Sequence, residues 1–324
     1  MKYSLIAPTF GRPEEVSEFL ESLSKLDYSD FELILSDGTP GDTLRPQIKG
    51  WIDRSEGRFR ILYEEFLPVS DARNLAAKEA KGAYLIFLDS DCLIPPGYLR
   101  AVDAFLTADP VDLFGGPDAA DEDFSLLQKS ISYSMTSFLT TGGIRGGKKS
   151  TTSYQPRGFN MGIRKSAFDS VNGYDEKLKC GEDVDLSLRL QAAGYRSAFI
   201  SGAEVYHKRR TNLKAFFRQV YRFGAARIDL SKKHSGQLKL THLFPLFFSL
   251  FALISLSSLA FAPLYSSVFF GYLGLVFLHA LWSTRDIRAA FLALVTSLTM
   301  FFGYGWGLLR NALHHLFRGR GMDI

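Results

Sequence analysis

The chain has 324 residues, a formal net charge of +4, 46% hydrophobic and 22% charged residues, and only two cysteines. This composition excludes a disordered chain, a collagen-like repeat and a disulfide framework, and the length allows one large or two modest domains. Because Cys92 and Cys180 lack Cys or His neighbours at zinc-ligand spacing, we expect two free thiols. No secretory signal precedes the first charged residues, so the N-terminal part is expected to stay in the cytoplasm.

Strand and helix patterns alternate in the first part of the chain. Short apolar runs predict strands at 3–7, 31–35, 59–63 and 84–88, and periodic apolar positions predict helices at 14–26 and 72–80. This alternation predicts an α/β fold with a mostly parallel sheet that is covered by helices on both faces. Such sheets bind ligands beyond the carboxyl ends of their strands, where Asp37 and Asp89 lie.

The pattern is less regular further along. Helices are predicted at 95–108 and 183–193 and a short strand at 198–200, whereas 115–158 carries only weak periodicity. Glycines and basic residues at 142–149 predict a flexible loop, with a phosphate-binding nest as the alternative.

A basic segment precedes the apolar end of the chain. Between residues 208 and 239 there are ten Lys or Arg and one acid, Asp229, and 212–230 has the pattern of an amphipathic helix. Beside an apolar stretch, this favours a helix that lies at the cytoplasmic membrane surface and contacts anionic headgroups; a solvated helix face is the alternative. Nucleic-acid binding is not expected, because no recognition motif accompanies the charge.

Two long stretches near the end of the chain contain no charged residue. They lie between Lys239 and Arg285 and at 289–309, and they predict membrane spans at about 243–261, 264–282 and 289–309. Arg285 and Arg288 then lie on the cytoplasmic side, as the positive-inside tendency prefers.

The last apolar segment leaves two interpretations open. If it crosses the membrane, the basic tail after Arg310 lies on the side that the positive-inside tendency disfavours. Gly303, Gly305 and Gly307 alternatively indicate a broken or re-entrant segment packed against protein.

Asp89-Ser90-Asp91 follows the predicted strand 84–88. Two carboxylates this close repel each other in a half-buried place, and a hard divalent cation both relieves that repulsion and grips a diphosphate. Surface turn chemistry is the alternative, but the position after a buried strand favours the metal.

A second acidic group opens the predicted helix 183–193. Glu182, Asp183 and Asp185 follow Gly181, and acids in a first helical turn are favoured by the helix dipole. Three acids exceed what capping requires, so one of them is a candidate general base for an acceptor hydroxyl.

Seven short motifs occur in a fixed order over about residues 3–225. They are Ala7-Pro8-Thr9-Phe10-Gly11-Arg12, Ser36-Asp37-Gly38-Thr39, Ser70-Asp71-Ala72-Arg73-Asn74, Asp89-Ser90-Asp91, Arg157-Gly158-Phe159-Asn160, Gly173-Tyr174-Asp175-Glu176 and Gly181-Glu182-Asp183. Their order and spacing resemble the family 2 inverting glycosyltransferases of the GT-A fold, although Ser36 stands where family members commonly carry a first acid.

The resemblance implies a role for each matching residue. It implies Asp183 as the base, with Glu182 beside it, and a Mg²⁺ or Mn²⁺ ion on Asp91, Asp89 and His207. The implied nucleotide and donor residues are Pro8, Thr9, Arg12, Asp37, Arg73 and Asp89. The implied acceptor-side residues are Arg157, Asn160, Gln219 and Arg222. The last two belong to a motif similar to Gln-x-x-Arg-Trp of processive synthases, in which Phe223 replaces the Trp.

The resemblance implies a membrane-bound transferase that moves a sugar from a nucleotide donor, expected to be a UDP-sugar, to a hydroxyl of a lipid-linked or glycan acceptor. The alternatives are a polyprenyl-phosphate sugar synthase and a catalytically silent nucleotide-binding scaffold. We predict a catalytic domain at 1–207, an interfacial region at 208–242 and a membrane region at 243–324, with the catalytic domain on the cytoplasmic side of the inner membrane and membrane lipids as partners.

Overall fold

The computed structural model describes residues 1–119, 123–142, 154–261 and 263–318. The strands are β1 (Tyr3–Thr9), β2 (Phe31–Asp37), β3 (Phe59–Tyr63), β4 (Tyr84–Leu88), β5 (Cys92–Leu93), β6 (Leu113–Gly115), β7 (Asp118–Ala119), β8 (Asn160–Arg164), β9 (Ser197–Phe199) and β10 (Val205–His207). The helices are α1 (Pro13–Ser24), α2 (Arg45–Arg54), α3 (Val69–Glu79), α4 (Tyr98–Ala108), α5 (Leu126–Thr136), α6 (Phe138–Thr141), α7 (Lys165–Ser170), α8 (Glu182–Ala192), α9 (Leu213–Lys233), α10 (Leu240–Ser257), α11 (Pro263–Thr284) and α12 (Ile287–Arg318).

Seven strands form the main sheet in the order β3-β2-β1-β4-β8-β6-β9. The β3-β2-β1-β4 half is parallel, and β8 runs antiparallel to both of its neighbours, β4 and β6. The predicted α/β fold with a mostly parallel sheet is confirmed. A second sheet, β5-β10-β7, was not predicted, because strands of two or three residues are too short to show a period.

Alternation along each strand explains why the sheet is buried on both faces. In β1 and β2, Leu5 and Leu33 belong to one hydrophobic core, and the next residues, Ile6 and Ile34, belong to the other. Successive side chains of a strand point to opposite faces, so a run without polar residues requires cover on both sides. Helices supply that cover, as the sequence predicted.

Some observed strands and helices have the predicted ends, and others begin or end a few residues away from them. The predicted strands 59–63 and 84–88 have the observed bounds, whereas β1 and β2 continue two residues further, to Thr9 and Asp37. The helix predicted at 95–108 begins only at Tyr98, since Pro96 disfavours helical backbone at the residue before it. Apart from Gly142, the predicted loop at 142–149 lies outside the described residues.

The chain divides into two compact units. The first contains residues 1–121 and 147–208, and the second contains 122–146 and 209–324. The predicted limits of the catalytic, interfacial and membrane regions remain predictions. In the second unit, α5 packs among the later helices: the Ser134 hydroxyl lies 2.5 Å from that of Thr296, and the Tyr133 hydroxyl lies 2.8 Å from Nδ1 of His279.

Among the described residues, three helices of the second unit are long and apolar enough to cross a membrane. They are Leu240–Ser257, Ser266–Thr284 and Ile287–Phe317. The alternative of a broken last segment is wrong, because α12 is continuous. Its glycines instead allow close packing: a Cβ on Gly307 would lie 2.0 Å from the Tyr221 carbonyl oxygen, and one on Gly305 would lie 3.0 Å from the Pro245 carbonyl oxygen.

Candidate functional site

Asp37 ends β2 and is fully buried. Its Oδ1 accepts hydrogen bonds from the hydroxyls of Thr9 (2.9 Å) and Thr39 (2.5 Å), which hold the carboxylate at the carboxyl end of the sheet. Among the residues that the structure describes, Oδ2 of Asp37 has no hydrogen-bond partner. A buried acceptor without a partner is costly, so this oxygen suits an N–H or O–H of a ligand at the strand ends.

Arg73 joins three parts of the first unit from the first turns of α3. Its Nη1 donates to Glu182 Oε1 (2.9 Å), and its Nη2 donates to Asp89 Oδ1 (2.9 Å) and to the Gly158 carbonyl (3.4 Å). The guanidinium is buried and lies 5.2 Å from the centre of the Tyr174 ring. Burial lowers its pKa, but Tyr174 and the carboxylates outweigh this and hold the pKa above its usual value. Arg73 is therefore a permanent cation between two acidic motifs.

Glu182 and Asp183 open α8, after Gly181 in the left-handed conformation with φ of 82°. Asp183 accepts from the backbone N–H groups of Val184 (2.7 Å, Oδ1) and Gly158 (3.0 Å, Oδ2). Burial, and then the charge of Asp183, raise the pKa of Glu182, while Arg73 opposes the shift. Glu182 and Asp183 are thus neighbouring carboxyl groups close to a single buried arginine, Arg73. Such a pair of carboxyl groups can hold a proton and exchange it.

Gly158 contacts both sides of this arrangement. Its N–H binds Asp183 and its carbonyl binds Arg73. A Cβ at this position would lie 2.8 Å from Arg73 Nη2, closer than carbon and nitrogen approach without a bond. The absence of a side chain is therefore what allows the guanidinium to reach both acids.

Gly158→Ala is expected to lower the free energy of unfolding by about 1–3 kcal/mol, since the added methyl group displaces a buried guanidinium from its partners. Thermal unfolding of the full chain measures the change. Gly50→Ala, where the nearest atom is 4.0 Å away in α2, is the matched control and is expected to be neutral or stabilising. Equal stability of the two variants would contradict the close packing at Gly158.

A second cluster surrounds Asp91. Pairing of His207 with Cys92 between β10 and β5 brings His207 Nε2 to 3.3 Å from Asp91 Oδ1. The ligand atoms of Asp91, Cys92 and His207 all lie within 4.8 Å of one another. Burial raises the pKa of Cys92 well above its usual value, so its sulfur stays a thiol, a poor ligand for hard cations. The Asp91 carboxylate, by contrast, is the type of ligand that suits Mn²⁺ and Mg²⁺, and the His207 imidazole offers a nitrogen ligand beside it.

Two residues beside this cluster were not predicted. Asp118, on β7, lies 4.0 Å from His207 Nδ1, and the Phe159 ring stacks on the imidazole at 4.9 Å between ring centres. Only the pairing of β7 and β10 brings Asp118 here, and no sequence pattern marks a strand of two residues. The Asp118 carboxylate therefore lies on the Nδ1 side of the imidazole, opposite the Nε2 that faces Asp91.

The other predicted site residues differ in their burial and in their contacts. Pro8 is partly buried near the end of β1, and Arg12, with 55% of its side chain exposed, lies 3.8 Å from Asp91 Oδ2. Arg157 is partly exposed and forms a β-bridge with Asn160.

Asn160 is buried and binds only protein partners: its amide accepts from the Tyr98 hydroxyl and donates to the Ala203 carbonyl. Gln219 and Arg222 lie on α9, in the second unit.

Comparisons with known proteins identify the family of the chain. Residues 4–171 match the family described as Glycosyl transferase family 2. The succinoglycan biosynthesis protein ExoA of Rhizobium meliloti is 25% identical over 323 residues, which cover 95% of this chain and 94% of that protein. The Escherichia coli UDP-Glc:alpha-D-GlcNAc-diphosphoundecaprenol beta-1,3-glucosyltransferase WfgD is 32% identical over 89 residues, or 27% of this chain and 34% of that enzyme.

Two solved structures share the fold. Mannosyltransferase PcManGT from Pyrobaculum calidifontis, in complex with GDP-Man and Mn²⁺, has a TM-score of 0.62 at 15% identity and covers 96% of this chain and 87% of its own. Staphylococcus aureus TarS 1–349 with UDP-GlcNAc has a TM-score of 0.52 at 16% identity, over 97% and 92%. With a family match over more than half of its length and this fold, the chain is a glycosyltransferase that belongs to glycosyl transferase family 2 and has the GT-A fold.

Proposed function

We propose that this glycosyltransferase moves a sugar from a nucleoside diphosphate donor to a hydroxyl of a lipid-linked or glycan acceptor, with inversion at the anomeric carbon, in polysaccharide or glycolipid assembly. The observation that carries the proposal is the position of Arg73, which binds Asp89 of the strand-end motif and Glu182 of the acidic helix start. A donor motif and a base motif that are 93 positions apart, counted from Asp89 to Glu182, are thereby held by one buried cation.

The donor half rests on the strand ends. The free Oδ2 of Asp37 suits a hydrogen-bond donor of a nucleotide base. Asp91 and His207 are the residues that would hold a divalent cation, whereas Asp89 is not part of this cluster and its Oδ1 accepts from Arg73. Such a cation, when bound, neutralises the charge that develops on the departing diphosphate. The relatives named above act with UDP-Glc or were solved with GDP-Man or UDP-GlcNAc, and we propose a UDP-sugar for this chain.

The acceptor half rests on α8. The acceptor oxygen forms a bond to the anomeric carbon while the bond to the diphosphate oxygen breaks, and the hydroxyl proton passes to a carboxylate oxygen of Asp183. The Gly158 and Val184 N–H groups donate hydrogen bonds to that carboxylate and keep it in place. A single displacement from the face opposite the diphosphate inverts the configuration.

The apolar helices support an acceptor that lies in a membrane. Three helices of sufficient length, together with the basic helix α9, are more than a simple anchor requires. The name of WfgD describes an acceptor on diphosphoundecaprenol, and ExoA is named for succinoglycan biosynthesis. We propose a lipid-linked acceptor here, with the first unit on the cytoplasmic side of the inner membrane.

Binding of nucleoside diphosphates to the detergent-solubilised full chain, with and without Mn²⁺, tests the donor site. We expect one nucleotide, UDP, to bind in a metal-dependent way, and Asp91→Ala to lose the metal-dependent part. The matched control is Asp53→Ala, which removes an exposed carboxylate on α2. Metal-independent binding would refute the proposed ion site, and a folded protein that binds no nucleoside diphosphate would refute the proposed donor site.

A further inference from the structure

Helix α9 and the last turns of α12 run side by side in the same direction. Glycines permit the contact: a Cβ on Gly303 would lie 2.6 Å from Val220, and one on Gly224 would lie 2.0 Å from the Tyr304 carbonyl oxygen. One turn on, Gly307 meets Tyr221 in the same way. Residues 217–225 of α9 therefore pack closely along residues 303–308 of α12.

Polar contacts continue this register towards the C-terminal ends of both helices. The Asn311 amide donates to the Ala225 carbonyl (2.7 Å) and to Asp229 Oδ1 (3.0 Å), and His315 Nε2 lies 2.8 Å from the same carboxylate oxygen. Arg310 Nη1 donates to the Tyr221 hydroxyl (3.0 Å). The end of α12 is thus fixed beside the end of α9, and both lie on the same side of any membrane.

Helix α9 is too highly charged to cross a bilayer. A charged side chain in the hydrocarbon core is strongly unfavourable, and 21 residues that include seven charged ones cannot span it. The charged residues are Lys214, Arg218, Arg222, Arg227, Asp229, Lys232 and Lys233. The chain enters α9 soon after Lys208, the last residue of the first unit, so α9 stays on the side of that unit.

The exposed faces of this helix pair suit a membrane surface. Lys214, Arg218 and Arg222 recur every four residues and are exposed, so they form one basic stripe on α9. On α12, Trp306 (57% exposed) and Leu313 (42% exposed) are seven residues apart and share a face turned away from the α9 contact. An exposed basic stripe on one helix and exposed Trp and Leu on its neighbour are features typical of helices at the level of the lipid headgroups.

We propose that α9 and residues 303–318 of α12 form one surface that lies against the anionic headgroups of the cytoplasmic leaflet. The C-terminus of the chain is then cytoplasmic. Each of the three apolar helices is long enough to cross the membrane, but together they make an even number of crossings. The Lys and Arg residues concentrated on this helix pair determine on which side of the membrane the pair lies, because short segments rich in Lys and Arg remain in the cytoplasm. The basic tail then obeys the positive-inside tendency that three crossings would violate.

Reporter fusions after Ile324 of the full chain test the sidedness. We expect a fused green fluorescent protein, which matures in the cytoplasm, to fluoresce in the membrane fraction, and a fused alkaline phosphatase, which needs export, to be inactive. The reverse pair of results would overturn the proposal. Either orientation of the C-terminus gives a signal from one of the two reporters. A fusion that fails to insert in the membrane is therefore recognised because neither reporter gives a signal.

Contact with lipid is tested on full-length protein in vesicles. A bimane label at Leu313→Cys, in a Cys180→Ser background, is expected to be quenched by headgroup-nitroxide lipid at least twofold more in phosphatidylglycerol vesicles than in phosphatidylcholine vesicles. The triple variant Lys214→Gln, Arg218→Gln, Arg222→Gln is expected to lose that difference. Equal quenching in both vesicles by the parent protein would overturn the headgroup contact, whatever the nucleotide-binding result.

Discussion

Asp183→Asn is expected to lower kcat by about 10²–10⁴-fold, the usual contribution of one positioned general base. The asparagine is close in shape and still accepts one of the N–H groups of Gly158 and Val184, so the start of α8 keeps its position. It cannot, however, take the proton of the acceptor hydroxyl. Nucleotide affinity is expected to stay within about threefold, because in the proposed mechanism Asp183 has no contact with the nucleotide.

Steady-state sugar transfer to a lipid-linked acceptor measures this effect, with nucleotide binding measured in parallel. Asp169→Asn is the matched control, because it makes the same chemical change at an exposed carboxylate, paired only with Lys165 at 3.5 Å in the salt bridges of the described residues. A rate near that of the parent protein would reject Asp183 as the base. It would favour instead an acceptor that is already an anion, as in polyprenyl-phosphate sugar synthesis.

Arg73→Ala is expected to destabilise the first unit by about 3–5 kcal/mol, because it leaves the partly buried carboxylates of Asp89 and Glu182 without their counter-ion. For a unit of this size, the change corresponds to a fall in melting temperature of roughly 6–20 °C. Arg73→Lys is expected to recover little of the loss, since one ammonium cannot reach two carboxylates and the Gly158 carbonyl in the fixed geometry of the guanidinium.

Arg100→Ala separates this effect from the removal of any arginine. Arg100 also pairs with an aspartate, Asp27, at 2.9 Å, but 69% of its side chain is exposed. Exposed pairs contribute at most about 1 kcal/mol, so this variant is expected to melt close to the parent protein. Similar melting temperatures for Arg73→Ala and Arg100→Ala would show that the buried pairs do not hold the two acidic motifs together.

Much of the fold is readable from local patterns. The strands at the centre of the main sheet are apolar runs bounded by Asp, Gly or Pro, so their position and direction follow from the sequence. Asp37 and Asp89 follow two of these strands, and the parallel arrangement then places both at one edge of the sheet. The family resemblance rested on these same strand ends and on the start of α8.

Helix α5 could not be predicted in the same way. It is rich in serine, its apolar stripe is short (Leu127, Ile131 and Met135), and polar side chains of its other face bind residues far along the chain. Ser130 donates to the carbonyl of Ala289, and Ser134 meets the hydroxyl of Thr296, more than 150 positions away. A periodicity argument reads only the nearest residues, so it assigns such a helix to a loop.

The sequence by itself determined the α/β class, the strand ends that carry Asp37, Asp89 and Asp91, the acidic start of α8 and the three apolar stretches. These are local features, set by side-chain period, by turn residues and by charge. Only the tertiary structure decided that Arg73 lies between Asp89 and Glu182, that β5 and β10 bring Asp91 to His207, and that the glycines of α12 pack against α9 and α10. Each of these depends on residues far apart in the chain, whose contact arises from packing and strand pairing rather than from any local pattern.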